Sequence, residues 1–100
     1  MTAKPYNGWT NYETWVVKLW MDNDEGAVNH FVELAEESIK RDPDGDIREL
    51  AEQIKSEHEE SIPELAGFAA DLMNSAFSEV DWDAIAASLL DTAKENLETV

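Results

Sequence analysis

The sequence predicts an all-α fold, a single compact bundle of about five helices that spans residues 1–100. Apolar residues recur at steps of three and four along most of the chain, which is the spacing of one helix face. Residues that favour helix N-caps precede several of these segments. Neither the alternating pattern of a strand nor a hairpin turn is present. At 100 residues, 43% of them hydrophobic, the chain has the size of one domain with its own core.

The N-terminal segment, residues 1–9, contains a proline and a glycine and is predicted to be an extended arm. Thr10 begins the sequence T-N-Y-E, which matches a capping box. In such a box the Thr10 hydroxyl accepts a hydrogen bond from the backbone N–H of Glu13, and the Glu13 carboxylate reaches back to the cap. A first helix is therefore expected near residues 11–22.

This first helix is apolar on two sides. The spacing of a core stripe is met by Tyr12, Trp15, Val16 and Leu19. Trp20 lies about 140° around the helix axis from Trp15, and Val17 shares that second side. We therefore expect this helix to be the central one, surrounded by the others. The alternative is a helix that packs on the core with one side and on a second chain with the other.

Two acidic helices are predicted in the middle of the chain, near residues 24–41 and 46–60. Asn23 or Asp24 caps the first, and its last turn carries a lysine and an arginine, where cations suit the helix dipole. A D-P-D-G turn separates the two helices. Their expected core stripes are Val28, Phe31, Ala35 and Ile39 on the first, and Ile47, Leu50, Ala51, Ile54 and His58 on the second.

The last two helices are predicted near residues 62–78 and 82–98. S-I-P-E, beginning at Ser61, is a second capping box with a proline just inside the helix. Asp81 is placed to cap the last helix. The expected core stripes are Leu65, Phe68, Ala69, Leu72, Ala76 and Phe77 on one, and Ile85, Ala86, Leu89, Ala93 and Leu97 on the other.

The charge of the chain restricts the kind of partner it binds. Its formal net charge is −16, from 7 Lys and Arg against 23 Asp and Glu. Few cations are available to neutralise phosphate groups, so we expect no direct contact with nucleic acid or membrane and a basic protein surface as the partner. The absence of cysteine and of long apolar runs favours a soluble cytoplasmic protein.

A catalytic or metal site is not predicted. His30 and His58 both lack the Glu three positions before them that carboxylate-bridged metal bundles use, so we interpret both as packing residues at the rim. The acidic turn that begins at Asp42 has its glycine fourth and Gln53 twelfth, which fails the spacing of a calcium loop. Motifs for nucleophilic catalysis or phosphate binding are missing. We therefore expect a non-enzymatic protein without a cofactor.

Negative charge is concentrated in the central third of the chain. Glutamates three or four positions apart on a helix lie roughly 5–6 Å from each other, a step comparable to that of phosphates along a nucleic-acid strand. Because rows of like charge weaken a helix, we interpret them as a nucleic-acid mimic that occupies the binding groove of another protein. The candidate contact residues are Glu33, Glu37, Asp44, Glu49, Glu52, Glu57, Glu60 and Glu64. The alternative is that acidity serves solubility or adaptation to high salt.

A second candidate surface is apolar. Three of the four tryptophans lie within residues 8–20, and tryptophan is enriched at protein interfaces. An adaptor or assembly protein would bind its partner through Trp9, Val17 and Trp20. A homodimer is a further possibility.

The stretch N-G-W-T-N-Y-E-T-W at residues 7–15, with L-W at 19–20 and N-D-E-G at 23–26, resembles the opening of small, largely uncharacterised proteins that recur on phage genomes and mobile plasmids. The resemblance covers the first quarter of the chain and brings no catalytic residue with it. It implies a home on a mobile element. By composition, the whole chain is similar to acidic anti-restriction and anti-CRISPR proteins, several of which mimic DNA. The predicted function is therefore inhibition of a host defence complex.

Overall fold

The computed structural model describes residues 5–61 and 67–98, and five α-helices account for most of these residues. The helices are α1 (Tyr12–Asn23), α2 (Glu25–Arg41), α3 (Ile47–Glu60), α4 (Gly67–Glu79) and α5 (Trp82–Glu98). The described ranges contain no strand. The predicted all-α bundle is therefore confirmed.

The last helix, α5, is the centre of the bundle. Its residues Ile85, Ala86, Leu89 and Ala93 are no more than 1% exposed. α2 and α3 both pack extensively on α5 and bury Phe31, Ala35, Leu50, Ala51 and Ile54 in the same core. The prediction that the first helix is central is wrong. Alanines on α5, α2 and α3 let three helices approach closely, whereas the bulky side chains of α1 require a position at the edge.

The first helix, α1, faces the core with a different side from the predicted one. Thr14 and Met21 are 0% and 3% exposed, and Val17 packs against the core between them. Tyr12 and Leu19, from the predicted core stripe, are 54% and 39% exposed. The stripe at positions 14, 17 and 21 lies roughly half a turn around the axis from the expected one. The first helix therefore carries apolar residues on two sides, as predicted, but the side with Tyr12 and Leu19 is exposed.

The fourth helix, α4, buries no side chain. Among the described helices its backbone packs only against α1, although the Phe77 ring stacks on Trp82 of α5 with 5.8 Å between ring centroids. Phe68 and Leu72, expected in the core, are 80% and 56% exposed. The start of the predicted helix, residues 62–66, lies outside the described residues.

Helix caps follow the predicted chemistry in most places. Asp24 caps α2 by accepting from the backbone N–H of Ala27 at 3.2 Å, and Asp81 caps α5 by accepting from the N–H of Ala84 at 3.1 Å. Asp46 caps α3. Ser61, predicted to begin the fourth helix, is the C-cap of α3, where its hydroxyl donates to the carbonyl of residue 58; the rest of its predicted capping box lies outside the described residues.

The cap of α1 differs from the predicted one. Asn11, rather than Thr10, is the N-cap, and its Oδ1 accepts from the backbone N–H of Thr14 at 2.9 Å. The Thr10 hydroxyl instead donates to the Asp81 carboxylate at 2.7 Å. The predicted capping box does not form, because the Thr10 hydroxyl bonds to Asp81 instead. The neighbouring Asn11 supplies an equally good cap.

An extended arm was predicted over residues 1–9, of which residues 1–4 lie outside the described ranges; residues 5–8 form a short turn instead. Tyr6, Asn7 and Gly8 have φ angles of 57°, 55° and 91°. Asparagine and glycine tolerate this left-handed conformation, and the Tyr6 ring gains contacts with Tyr12 and Trp15 at centroid distances of 5.8 and 6.4 Å. The turn folds the chain back onto α1.

Candidate functional site

The polar residues of the N-terminal motif fasten α1 to the connection between α4 and α5. The Asn11 Nδ2 group donates to the Glu79 carbonyl at 2.5 Å, and the Thr14 hydroxyl accepts from the backbone N–H of Asp81 at 2.8 Å. The same hydroxyl donates to Asn11 Oδ1 at 2.6 Å. Together with the Thr10–Asp81 hydrogen bond, these contacts form a connected set of hydrogen bonds, which we call the 10–81 network. The motif therefore has a structural use in holding the fold.

The candidate carboxylates on α2 and α3 face away from the core. On α2, Glu33 lies about 200° around the axis from buried Phe31, and Glu37 lies about 200° from buried Ala35. On α3, Glu52 lies about 200° from buried Leu50. The exposed members of the predicted set on these two helices are Glu33, Glu37, Glu49, Glu52 and Glu60. We call these five the acidic face.

The carboxylates of the acidic face form no ion pair with the part of the chain that the structure describes. None of its five carboxylates has an ion-pair partner within the described ranges, where the ion pairs involve Lys18 with Asp22 and His30 with Glu57. These charges are therefore available to an external cation.

Three further candidate residues behave differently from the acidic face. Glu57 is half-buried and accepts a 2.6 Å hydrogen bond from His30 Nε2, which links α3 to α2. Asp44 lies in the α2–α3 turn, where its backbone N–H donates to the Asp42 carboxylate at 3.2 Å. Glu64 lies outside the described residues. Glu57 therefore holds two helices together, and Asp44 belongs to a capped turn.

The second histidine, His58, is a packing residue. Its Nδ1–H donates to the Ile54 carbonyl at 2.8 Å, and its ring stacks on Phe31 and meets Trp82 at centroid distances of 5.1 and 5.3 Å. The indole nitrogen of Trp82 is buried, and no acceptor for it is found among the described residues. Clusters of three or more potential metal ligands do not occur in the described part of the chain.

Among the described residues, the exposed large apolar side chains are concentrated on the N-terminal turn, α1 and α4. Seven such residues are exposed within the described ranges, and all seven belong to the first turn, α1 or α4: Tyr6, Tyr12, Leu19, Trp20, Phe68, Leu72 and Met73. Trp20 lines a separate cleft with His58, and we call the other six residues the apolar face. Sequence reasoning placed most of them in the core because a helical apolar stripe looks the same whether a neighbouring helix or another molecule covers it.

A groove of about 350 Å³ runs between α1 and α4 within this region. Its α1 wall is formed by Tyr12, Glu13, Val16 and Val17, and its α4 side by Met73, Ala76, Phe77 and Val80, which follows that helix. Glu13 is the one charged residue among these eight. The groove is therefore suited to an apolar side chain.

The predicted apolar interface does not form one surface. Trp9 is half-buried against the core and lines a cleft beside Ala84 and Ser88 of α5. Val17 lines the α1–α4 groove, whereas Trp20 is 72% exposed and lines a third cleft with His58. Of the three predicted anchors, Trp20 alone is free to contact a partner.

No helix in the described part of the chain combines the length and apolar character needed to cross a bilayer. The chain is similar over residues 2–98 to a family model described as "Family of unknown function (DUF7249)". Neither a curated protein nor a solved structure matches it.

Proposed function

The chain belongs to the DUF7249 family of unknown function, and from its surface we propose that it is a non-enzymatic inhibitor carried by a mobile element. In this proposal it acts in the host cytoplasm, where it occupies the basic nucleic-acid-binding surface of a host defence complex. The acidic face is the contact surface. The partner is a protein, and the chain itself does not touch nucleic acid.

The observation that carries this proposal is the exposure of five unpaired carboxylates on two helices that are packed on the same central helix. Since α2 and α3 are both anchored on α5, and His30 and Glu57 link them, the carboxylates are held on a rigid support. A preorganised array loses little conformational entropy when it binds.

The net charge of −16 also supports the proposed function, because charge affects the rate at which two proteins associate. A strongly charged surface steers an oppositely charged partner toward it, and this raises the association rate at low ionic strength. Salt screens such attraction, with a Debye length of about 10 Å at 0.1 M. Binding to the partner is therefore expected to weaken steeply as salt rises.

The partner can be captured from host lysate with the tagged protein at low and at moderate salt. Retained proteins are identified and then tested for binding to a DNA or RNA duplex in competition with the chain. The proposal expects a nucleic-acid-binding protein that is retained at low salt, is lost at moderate salt and is displaced from the duplex. Retention that does not change with salt would contradict it.

Charge reversal locates the contact surface. The triple variant Glu33→Lys, Glu49→Lys and Glu52→Lys should lose competition with the duplex while its circular dichroism remains helical. A matched control, Asp71→Lys, Asp91→Lys and Glu98→Lys, makes the same change in net charge at exposed positions on α4 and α5. Equal losses in the two variants would show that total charge, rather than the acidic face, determines binding.

A second candidate function is that of an adaptor that binds its partner through the apolar surface around Trp20. The 72% exposure of this tryptophan favours it, because aromatic side chains commonly anchor protein interfaces. Trp9 gives no support, since it packs against the core. Partner binding that is insensitive to salt and is lost in Trp20→Ala would favour the adaptor over the acidic inhibitor.

A further inference from the structure

The two kinds of surface lie on different helices. The acidic face belongs to α2 and α3, and the apolar face belongs to the first turn, α1 and α4. Within the described ranges, α2, α3 and α5 expose no large apolar side chain. The apolar face therefore needs an explanation of its own, separate from the one that the carboxylates suggest.

We propose that the apolar face is the contact surface of a homodimer, in which α1 and α4 of one copy pack against α1 and α4 of a second copy. This inference does not depend on the proposed function. It concerns a different set of residues and a different partner, namely this chain itself.

The exposed apolar area is large enough for such a contact. Phe68, Leu72 and Tyr12 are 80%, 56% and 54% exposed, and an aromatic side chain offers about 150–250 Å². Together with Tyr6, Leu19 and Met73 they expose roughly 600 Å², which approaches the ~800 Å² that each partner contributes to a stable interface. Monomers seldom expose apolar patches larger than a few hundred Å².

The distribution of charge permits a second copy as the partner. Two chains of net charge −16 repel each other, so they can associate only where charge density is lowest. α4 carries two acidic residues, Asp71 and Glu79, in 13 positions, whereas α3 carries five acidic and two basic residues in 14. Contact through α1 and α4 keeps the acidic faces of both copies in solvent and away from the interface.

The shape of the face suits a two-fold interface. In such an interface the same patch serves both copies, so it must offer both a projection and a recess. Phe68 and Leu72, one turn apart on α4, are the exposed projection, and the α1–α4 groove is the recess. We place the projection of each copy against the groove of the other.

Sedimentation equilibrium of the full chain tests this proposal. The expected result is a monomer–dimer equilibrium that approaches twice the monomer mass of 11.3 kDa as concentration rises. The dissociation constant should fall as NaCl rises, because salt screens the repulsion between two acidic chains. This salt dependence is opposite in sign to that expected for a basic partner.

Two matched double variants separate the two surfaces. Phe68→Gln with Leu72→Gln should raise the dimer dissociation constant at least tenfold and leave the monomer folded, since both side chains are exposed and glutamine favours helices. Glu33→Gln with Glu37→Gln places the same pair of residues, also four positions apart, on the acidic face. It should leave the dimer intact or tighten it.

The proposal would be overturned by a monomer mass at every salt concentration and at every protein concentration up to about 1 mM. Equal dimerisation of Phe68→Gln/Leu72→Gln and of the unmodified chain would overturn it as well. A monomer that instead captures a different protein through Phe68 and Leu72 would also overturn it. Loss of dimerisation would leave the acidic face untouched, so competition with a duplex reports on the proposed function independently.

Discussion

The hydroxyl group of Thr14 accepts a 2.8 Å hydrogen bond from the backbone N–H of Asp81, which lies 67 residues further along the chain. Thr14 is the buried polar residue of the described core, and its hydroxyl also donates to Asn11. One small side chain therefore joins the start of α1 to the start of α5. This relationship leads to the first two predictions.

Thr14→Val is expected to lower the free energy of unfolding by about 1–3 kcal/mol, because it keeps the shape of the side chain but leaves the N–H of Asp81 without its acceptor. Urea unfolding followed by circular dichroism measures the change. Thr14→Ser restores the hydroxyl and should recover most of the stability. If serine is as damaging as valine, the methyl group of Thr14 matters more than the hydrogen bond.

Asn11→Ala is expected to cost about 1–2 kcal/mol, more than Thr10→Ala, because Asn11 is the actual cap of α1. Thermal unfolding of the two variants gives the order. Asn11→Asp keeps the capping oxygen but replaces the amide that donates to the Glu79 carbonyl with a carboxylate oxygen, so it removes that hydrogen bond and adds a negative charge at the helix N-terminus. A larger loss for Thr10→Ala would mean that the Thr10–Asp81 hydrogen bond contributes more to stability than the Asn11 cap does.

Leu89→Ala should destabilise the protein by about 2–5 kcal/mol, because Leu89 is 1% exposed at the centre of the bundle. Trp20→Ala should change stability by no more than about 0.5 kcal/mol, since Trp20 is mostly in solvent. Chemical unfolding at low protein concentration makes the comparison for the monomer. The reverse order would mean that α1, rather than α5, is the central helix.

The melting temperature is expected to rise with NaCl, because added salt screens the repulsion within a chain of net charge −16. Glu33→Gln with Glu37→Gln removes one like-charge pair four positions apart and should stabilise the protein by about 0.2–0.5 kcal/mol. Its melting temperature should also depend less on salt. Circular dichroism melts at several salt concentrations measure both effects, and a melting temperature that falls on adding salt would contradict the first.

Local signals predicted the helices well because caps and periodicity depend on residues close in sequence. Asp24 and Asp81 cap α2 and α5 as expected, and α5 has the predicted bounds. Local signals of this kind do not show which helix lies at the centre of the bundle. A helix rich in tryptophan and a helix with alanines at its contact positions both look like core helices, and only their packing decides which one fits between the others.

The acidic face was predictable because charged residues opposite an apolar stripe face solvent. The sequence alone does not distinguish Glu57 from the other candidate glutamates, because its structural role depends on a hydrogen bond with His30, 27 positions earlier. The sequence also did not reveal that Phe68 and Leu72 are exposed. Whether a helical apolar stripe is buried depends on which neighbour covers it, and that is a property of the assembled molecule.

The hydrogen bonds of the 10–81 network also affect the order in which the chain folds. Synthesis on the ribosome produces α1 first, yet the N–H group that Thr14 needs belongs to residue 81. Contacts between residues so distant in sequence form late, since a long loop must close before they can stabilise anything. The hydrogen bond between Thr14 and Asp81 therefore forms only after most of the chain has been made, although α1 can pack against α2 as soon as that helix is complete.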